Sequence, residues 1–321
     1  LTDPRQQVAV VAPRPWSLAD GLEGAGIDVE TSPNRGCWLV QWGAQPAARQ
    51  VLRYLHYRMP DPGYRRMMVW LDRYWPDVVY VNCLPQLKGA AAAHALGLPV
   101  VWHIREILPP GRRRRWFAHQ LKRHATRIVA VSHAVAEWLE DEGLGDLVTV
   151  VHNGCDAPEN ASEISELRER LGLPMGGVLL GYFAQIIGHK GVIDLVRAGT
   201  RAMAETPDLS IVIAGDGPQS EIEGLNGEIA RSPFSQRFFL LPPQKEVWPL
   251  LTAVDMVAVP SLWPDPLPRT VMEAMAAGRS VVAYRSGGVP EMVVEGETGF
   301  MVESGDHEEL ADRIARLARA P

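Results

Sequence analysis

The chain has 321 residues, 46% hydrophobic and 22% charged, a balance that suits folded globular domains and, at about 100–200 residues each, two of them. It excludes a mainly disordered chain, and apolar stretches broken by charge or proline within about 18 residues give no membrane-spanning helix. A net charge of -6 argues against a general nucleic-acid binder. Cys37, Cys83 and Cys155 are widely spaced, which argues against a disulfide scaffold or a structural zinc site. With no leader-like opening segment, a cytoplasmic location is expected, with membrane association left open. Residues 1–160 carry 18 Lys and Arg against 16 Asp and Glu, residues 161–321 carry 14 against 22, as two differently employed domains would.

In chain order, the first half predicts strands at 7–12, 27–30, 78–82, 100–104, 127–132 and 148–152. Helical spacing marks 17–25, 47–58, 64–75, 84–97, 112–124 and 133–143. Residues 161–176, polar with a short helix and then Pro174 and Gly176, read as a linker. The second half predicts strands at 178–184, 209–215, 256–260, 280–284 and 299–302, with helices at 191–206, 220–232, 246–254, 269–278 and 306–320. Short strands that are apolar throughout are those of a parallel sheet covered on both faces. The expected fold is α/β: two Rossmann-like, doubly wound parallel-sheet domains, 1–160 and 177–321, with a cleft between them as the default ligand site.

Local chemistry concentrates in the second half. Pro268 ahead of a helix-forming run sets a helix start whose free N–H groups and dipole suit a diphosphate. Asp265 lies in the preceding loop and Glu273 just over one turn into the helix. A carboxylate there accepts two hydrogen bonds from a vicinal diol such as a ribose, although capping and solvation explain the same residues. Lys190, in a strand–helix loop, supplies a cation for a leaving diphosphate in place of a divalent metal, or is a surface lysine. Gly287 and Gly288 make a turn that either faces a ligand or tightens a strand–helix connection.

Six ordered motifs carry a family resemblance: P-D-V-V-Y-V-N from Pro76, G-L-P-V-V-W-H-I-R-E from Gly97, A-V-S-H-A-V from Ala130, H-N-G-C-D from His152, G-Y-F-A-Q-I-I-G-H-K-G from Gly181, and I-V-I-A-G-D-G-P from Ile211. They lead to P-S-L-W-P-D-P-L-P-R-T-V-M-E-A-M-A-A-G from Pro260, running on to S-G-G-V-P-E. Together they resemble the retaining glycosyltransferases of the group 1 (family 4) type, which have the two-domain GT-B fold. The resemblance implies metal-independent transfer of a sugar from a nucleoside diphosphate donor to a hydroxyl acceptor (glycan, lipid-linked or small molecule), with no cofactor. It assigns Asp265, Lys190, His103 and Arg105 to catalysis. Glu273, Gln185, Leu267, Pro268, Arg269, Thr270, Gly215, Gly287 and Gly288 would bind the donor.

Departures from the family pattern are Asp265 for the commoner glutamate, Gln185 for arginine, Pro268 for glycine (one backbone donor fewer), and Arg105 for a frequent histidine. The resemblance also implies that the usual first strand with its glycine-rich loop, and the C-terminal return helix, are missing. A degenerate sugar-nucleotide-binding module and a sugar-nucleotide epimerase are the alternatives. The run Arg112, Arg113, Arg114, Arg115 and Trp116, continuing through Phe117, Lys122 and Arg123, reads as a solvated helix face or as a peripheral membrane contact.

Overall fold

The computed structural model describes residues 7–12, 19–31, 62–157 and 163–319; the helix expected at 47–58, Cys37 and residues 13–18 lie outside them. The chain divides into two compact units, Leu1–Val131 with Ala136–Val151, and Ser132–Val135 with His152–Pro321.

In the first unit, β1 (Ala9–Ala12) and β2 (Asp28–Thr31), separated by α1 (Ala19–Gly24), pair in parallel as a two-stranded sheet. The phenol of Tyr74, at the end of α2 (Pro62–Tyr74), donates to Asp28. A four-stranded parallel sheet follows, in the order β3 (Val79–Asn82), β4 (Val100–Ile104), β5 (Arg127–Ala130) and β6 (Val148–Val150). Its crossovers are α3 (Leu87–Ala95), α4 (Arg112–His124) and α5 (His133–Asp141). Trp102 and Ile104 of β4, Phe117 and Leu121 of α4 and Leu139 of α5 are fully buried, at about 1.5–3 kcal/mol for each large apolar side chain.

The second unit is built on a six-stranded parallel sheet. Its strands are β7 (Val178–Phe183), β8 (Leu209–Ala214), β9 (Phe238–Leu241), β10 (Met256–Val259), β11 (Ser280–Tyr284) and β12 (Gly299–Val302), in the spatial order β12-β11-β10-β7-β8-β9. Both faces are covered. Leu180 and Tyr182 of β7 point to a core closed by α7 (Val192–Glu205), α8 (Gln219–Arg231) and α11 (His307–Arg319). Leu179 and Phe183 point to the opposite core, closed by α6 (Ile164–Arg170), α9 (Trp248–Ala253) and α10 (Arg269–Ala276). Burial on alternate sides is why the strands are apolar throughout.

Two sequence expectations change. β9 is an edge strand where the sequence pattern predicts none, because F-F-L-L is only four residues long and runs into Pro242. Residues 161–176, read as a linker, are packed into the second unit: Leu167 and Leu173 lie in its core. Arg168, buried, donates to the Ala253 carbonyl and to Asp255 Oδ2, both at 2.8 Å.

Ser132–Val135 joins the second unit through Glu291. Its carboxylate accepts the backbone N–H groups of His133 and Ala134 at 2.7 and 2.8 Å and lies 2.8 Å from His152 Nε2. Burial pushes this carboxyl up, but the two N–H groups and His152 outweigh it and hold it below the usual range. A carboxyl lowered in the folded state contributes stability above its unfolded pKa and loses it as pH falls through the folded value. Glu291→Gln should therefore lower stability by about 1–2 kcal/mol at neutral pH. Denaturation curves of the two proteins should converge once the pH is below the folded carboxyl's pKa.

Candidate functional site

The spatial order of the second sheet reverses between β7 and β10: β8 and β9 extend one way from β7, β11 and β12 the other way from β10. At such a reversal the loops leaving the two central strands diverge and open a crevice at their carboxyl ends. Here those loops are 184–191 after β7 and 260–268 after β10.

Glycines let these loops approach one another. Gly191 has φ 71°, and a Cβ there would lie 1.8 Å from the Pro260 carbonyl oxygen; Leu262 N–H donates to His189 O across the same seam. A Cβ at Gly215 would sit 1.9 Å from Ala184 O, and one at Gly217 2.1 Å from Ile186 O. Gly287, at φ 55°, and Gly288 press against the backbone of Asp265 and Pro266, where a Cβ would lie 2.0 and 2.1 Å from their carbonyl oxygens. Gly288 N–H donates to Asp265 O. Backbone packing on the acidic loop thus accounts for both glycines of that pair. Buried Tyr182 braces the β7 loop from below by donating to Gln185 O at 2.9 Å.

The result is a contact between the two residues singled out from opposite loops. Lys190 Nζ lies 2.7 Å from Asp265 Oδ2, with about a quarter of each side chain exposed (26% and 22%). Beside them α10 begins. Pro268 is its N-cap rather than its first residue, with φ -66° and ψ 120°, so the free N–H groups of the first turn start at Arg269. Thr270 Oγ1 donates to Phe183 O and pins this turn to the end of β7. Glu273 is 5% exposed, and Arg269 Nε and Nη2 both reach its Oε1, at 2.9 and 2.8 Å. Leu267 is buried beneath the loop, and Gln185 is exposed.

Three residues that the sequence reading did not select also lie here. Cys155 is electrostatically coupled to Glu273 and Arg269, its thiol raised chiefly by burial. His189, beside Lys190, has its imidazole lowered by burial and then by that lysine, with Glu221 and Asp265 opposing. Ser261 Oγ is buried without a hydrogen-bond partner. Their one signal in the sequence was membership of the motifs that contain them.

In the first unit, the carboxyl ends of β3 and β4 bring together Tyr80, Cys83, His103, Arg105 and Glu106. The Tyr80 hydroxyl is hydrogen-bonded to His103 Nδ1, and the buried Nε2 of His103 has no partner. Burial, then Arg105, lowers this imidazole. Arg105 is exposed. Its N–H and that of Leu84 donate to the Glu106 carboxylate, which burial pushes up. Cys83 holds φ 70°, and its thiol is pushed up to about 12 by burial and Glu106, too high for thiolate chemistry.

One metal-like grouping occurs among the described residues: ligand atoms of His133, His152 and Glu291 lie within 4.8 Å of one another. The Glu291 oxygens already take three hydrogen bonds there, and a helix N-terminus repels a cation.

Comparisons with known proteins identify the family. Profiles described as "Glycosyltransferase Family 4" and "Glycosyl transferases group 1" match residues 5–158 and 163–321. A 2-deoxystreptamine glucosyltransferase of Streptomyces kanamyceticus is 29% identical over 279 residues, 79% of this chain and 71% of that one. A D-inositol 3-phosphate glycosyltransferase of Corynebacterium efficiens is 31% identical over 182 residues, 54% of this chain and 43% of that one; the chain thus spans less than half of the latter's length. The structure of Anabaena Alr3699/HepE in complex with UDP-glucose is similar over 97% of this chain and 82% of that one, with a TM-score of 0.79 and 27% identity. With both profiles matching in order across nearly the whole sequence, the chain belongs to the group 1, family 4 glycosyltransferases.

Proposed function

We propose that the chain moves a hexose-type sugar from a nucleoside diphosphate donor to a hydroxyl acceptor, with retention at the anomeric carbon and without a metal. The observation that carries this reading is the Lys190–Asp265 contact at the sheet's reversal, beside the N-terminus of α10. The Lys190 ammonium faces the diphosphate, the free N–H groups of Arg269 and Thr270 add donors to it, and Gln185 adds a neutral one. Asp265 takes hydroxyls of the transferred sugar and Glu273 the ribose. Gly215, Gly287 and Gly288 serve the donor by letting the surrounding backbone close in, with Leu267 and Pro268 shaping the floor. HepE, whose structures hold UDP and UDP-glucose, supports a uridine diphosphate sugar as the donor to try first. His103, through its unpartnered Nε2, and Arg105 of the first unit are the further catalytic candidates, to approach the transferred sugar or the reacting phosphate.

As the anomeric C–O bond breaks, its electron pair goes to the diphosphate, and the lysine ammonium offsets the growing charge. Lys190→Ala should therefore lower kcat more than it weakens donor binding, read by steady-state kinetics beside calorimetry with UDP-glucose. A weaker Kd at unchanged kcat would make Lys190 a ground-state anchor instead.

Glu273→Ala should weaken UDP-glucose binding by about 1.5–3 kcal/mol, the cost of charge-assisted hydrogen bonds to the ribose. The melting temperature should change little, because its partner Arg269 is mostly exposed. Unchanged affinity in a folded variant would remove Glu273 from the site.

A further inference from the structure

Helix α4 sorts its cations onto two faces. Arg114, Phe117, Ala118, Leu121 and His124 are buried. Arg114 lies 2.7 Å from Asp141 and over the Trp138 ring, so it is a structural cation and leaves the basic run read from the sequence. Arg112, Arg115, His119, Lys122 and Arg123 are exposed at positions 1, 4, 8, 11 and 12 of the helix, one continuous outward stripe. The stripe from Arg112 to Arg123 is about 16 Å long at 1.5 Å per residue.

What sets this stripe apart is the clustering of its cations together with their place on the helix. In the second unit, exposed Arg197, Arg201, Arg231 and Arg319 each lie against a carboxylate. None of Arg112, Arg115, Lys122 and Arg123 pairs with a carboxylate among the described residues. The helix also carries its charge against its own dipole: four arginines open it with no acid in the first turn, where a cation destabilises. Helix α11 does the reverse, with Glu308 and Glu309 first and Arg316 and Arg319 last. An anionic surface outside the molecule relieves both the mutual repulsion and the dipole conflict. Helix α2, which packs on α3 as α4 does, adds exposed Arg66, Val69 and Arg73 on one stripe of its own.

We propose that the outward face of α4 docks this protein on an anionic phospholipid bilayer. A convex helix meets a plane with all its outward cations at once, whereas a polyanionic chain would need a groove to follow. Phe117 and Leu121 are buried inward, so the contact is electrostatic, reversible and salt-sensitive rather than inserted. This inference does not depend on the transferase reading, and its failure would leave that reading standing.

The test is co-sedimentation of the full chain with phosphatidylcholine vesicles and with mixed phosphatidylcholine–phosphatidylglycerol vesicles, at low and high salt. Binding is expected to the mixed vesicles alone and to be lost at high salt. The variant Arg112→Glu/Arg115→Glu/Lys122→Glu should bind them at least about 100-fold more weakly, at about fivefold per cation. Two of its acids fall at the helix N-terminus, which offsets the third, Lys122→Glu, in the last turn, so it should fold as well as the parent. Arg197→Glu/Arg201→Glu/Arg231→Glu, with the same change in net charge, should keep the binding. Equal binding to neutral vesicles, no binding to mixed ones, an equal loss in both variants, or capture by an anionic polysaccharide without vesicle binding would each overturn the proposal.

Discussion

Lys190 and Asp265 are 75 residues apart in the chain, and they touch because the sheet of the second unit reverses its order between β7 and β10. Each residue sits in the loop that leaves one of those two strands. The loops are drawn together by positions where no side chain fits: Gly191 against Pro260, Gly215 against Ala184, Gly287 against Asp265. Much else in this unit follows from that approach. The α10 N-terminus is fixed beside the ion pair because Thr270 reaches the end of β7, and the β7 loop keeps its height because Tyr182 holds it from beneath.

The pair itself stabilises the fold little. With about a quarter of each side chain in water, such contacts contribute about 0–1 kcal/mol. That weakness suits the proposed site: there the ammonium would exchange one oxyanion partner for another at small cost, and the carboxylate released with it would accept sugar hydroxyls. Glu273 is placed on similar terms, buried itself but held by an arginine that lies mostly in solvent. Contrast Arg168, buried and bound to Ala253 and Asp255: a single-partner loss there leaves a charge with nowhere to go.

Much of this was legible in the sequence because parallel strands covered on both faces announce themselves as short apolar runs. β4 and β11 fall where they were expected, and α4 begins and ends at the expected residues. β9 was not legible, since four apolar residues ahead of two prolines look the same in a loop as at a sheet edge. The packing of 161–176 was hidden for a different reason. Its helix is mostly polar, and among the described residues Leu167, Arg168 and Leu173 are buried, with Leu171 packed against the same core. Composition likewise cannot divide a run of four arginines into three facing outward or sideways and one, Arg114, committed to Asp141. The site residues came from motifs, but the Lys190–Asp265 contact needed the strand order, which no local pattern contains.

The proposed site depends on Lys190, held by Asp265 in the free protein, as the cation that would receive the donor's diphosphate. Calorimetric titration of UDP into the wild-type chain and into Asp265→Asn tests it most directly. UDP carries the diphosphate but no sugar, so removing the competing carboxylate should free the ammonium. The variant should then bind UDP more tightly, by about fivefold for a 1 kcal/mol pair. Unchanged or weaker UDP binding by a folded Asp265→Asn protein would contradict the claim.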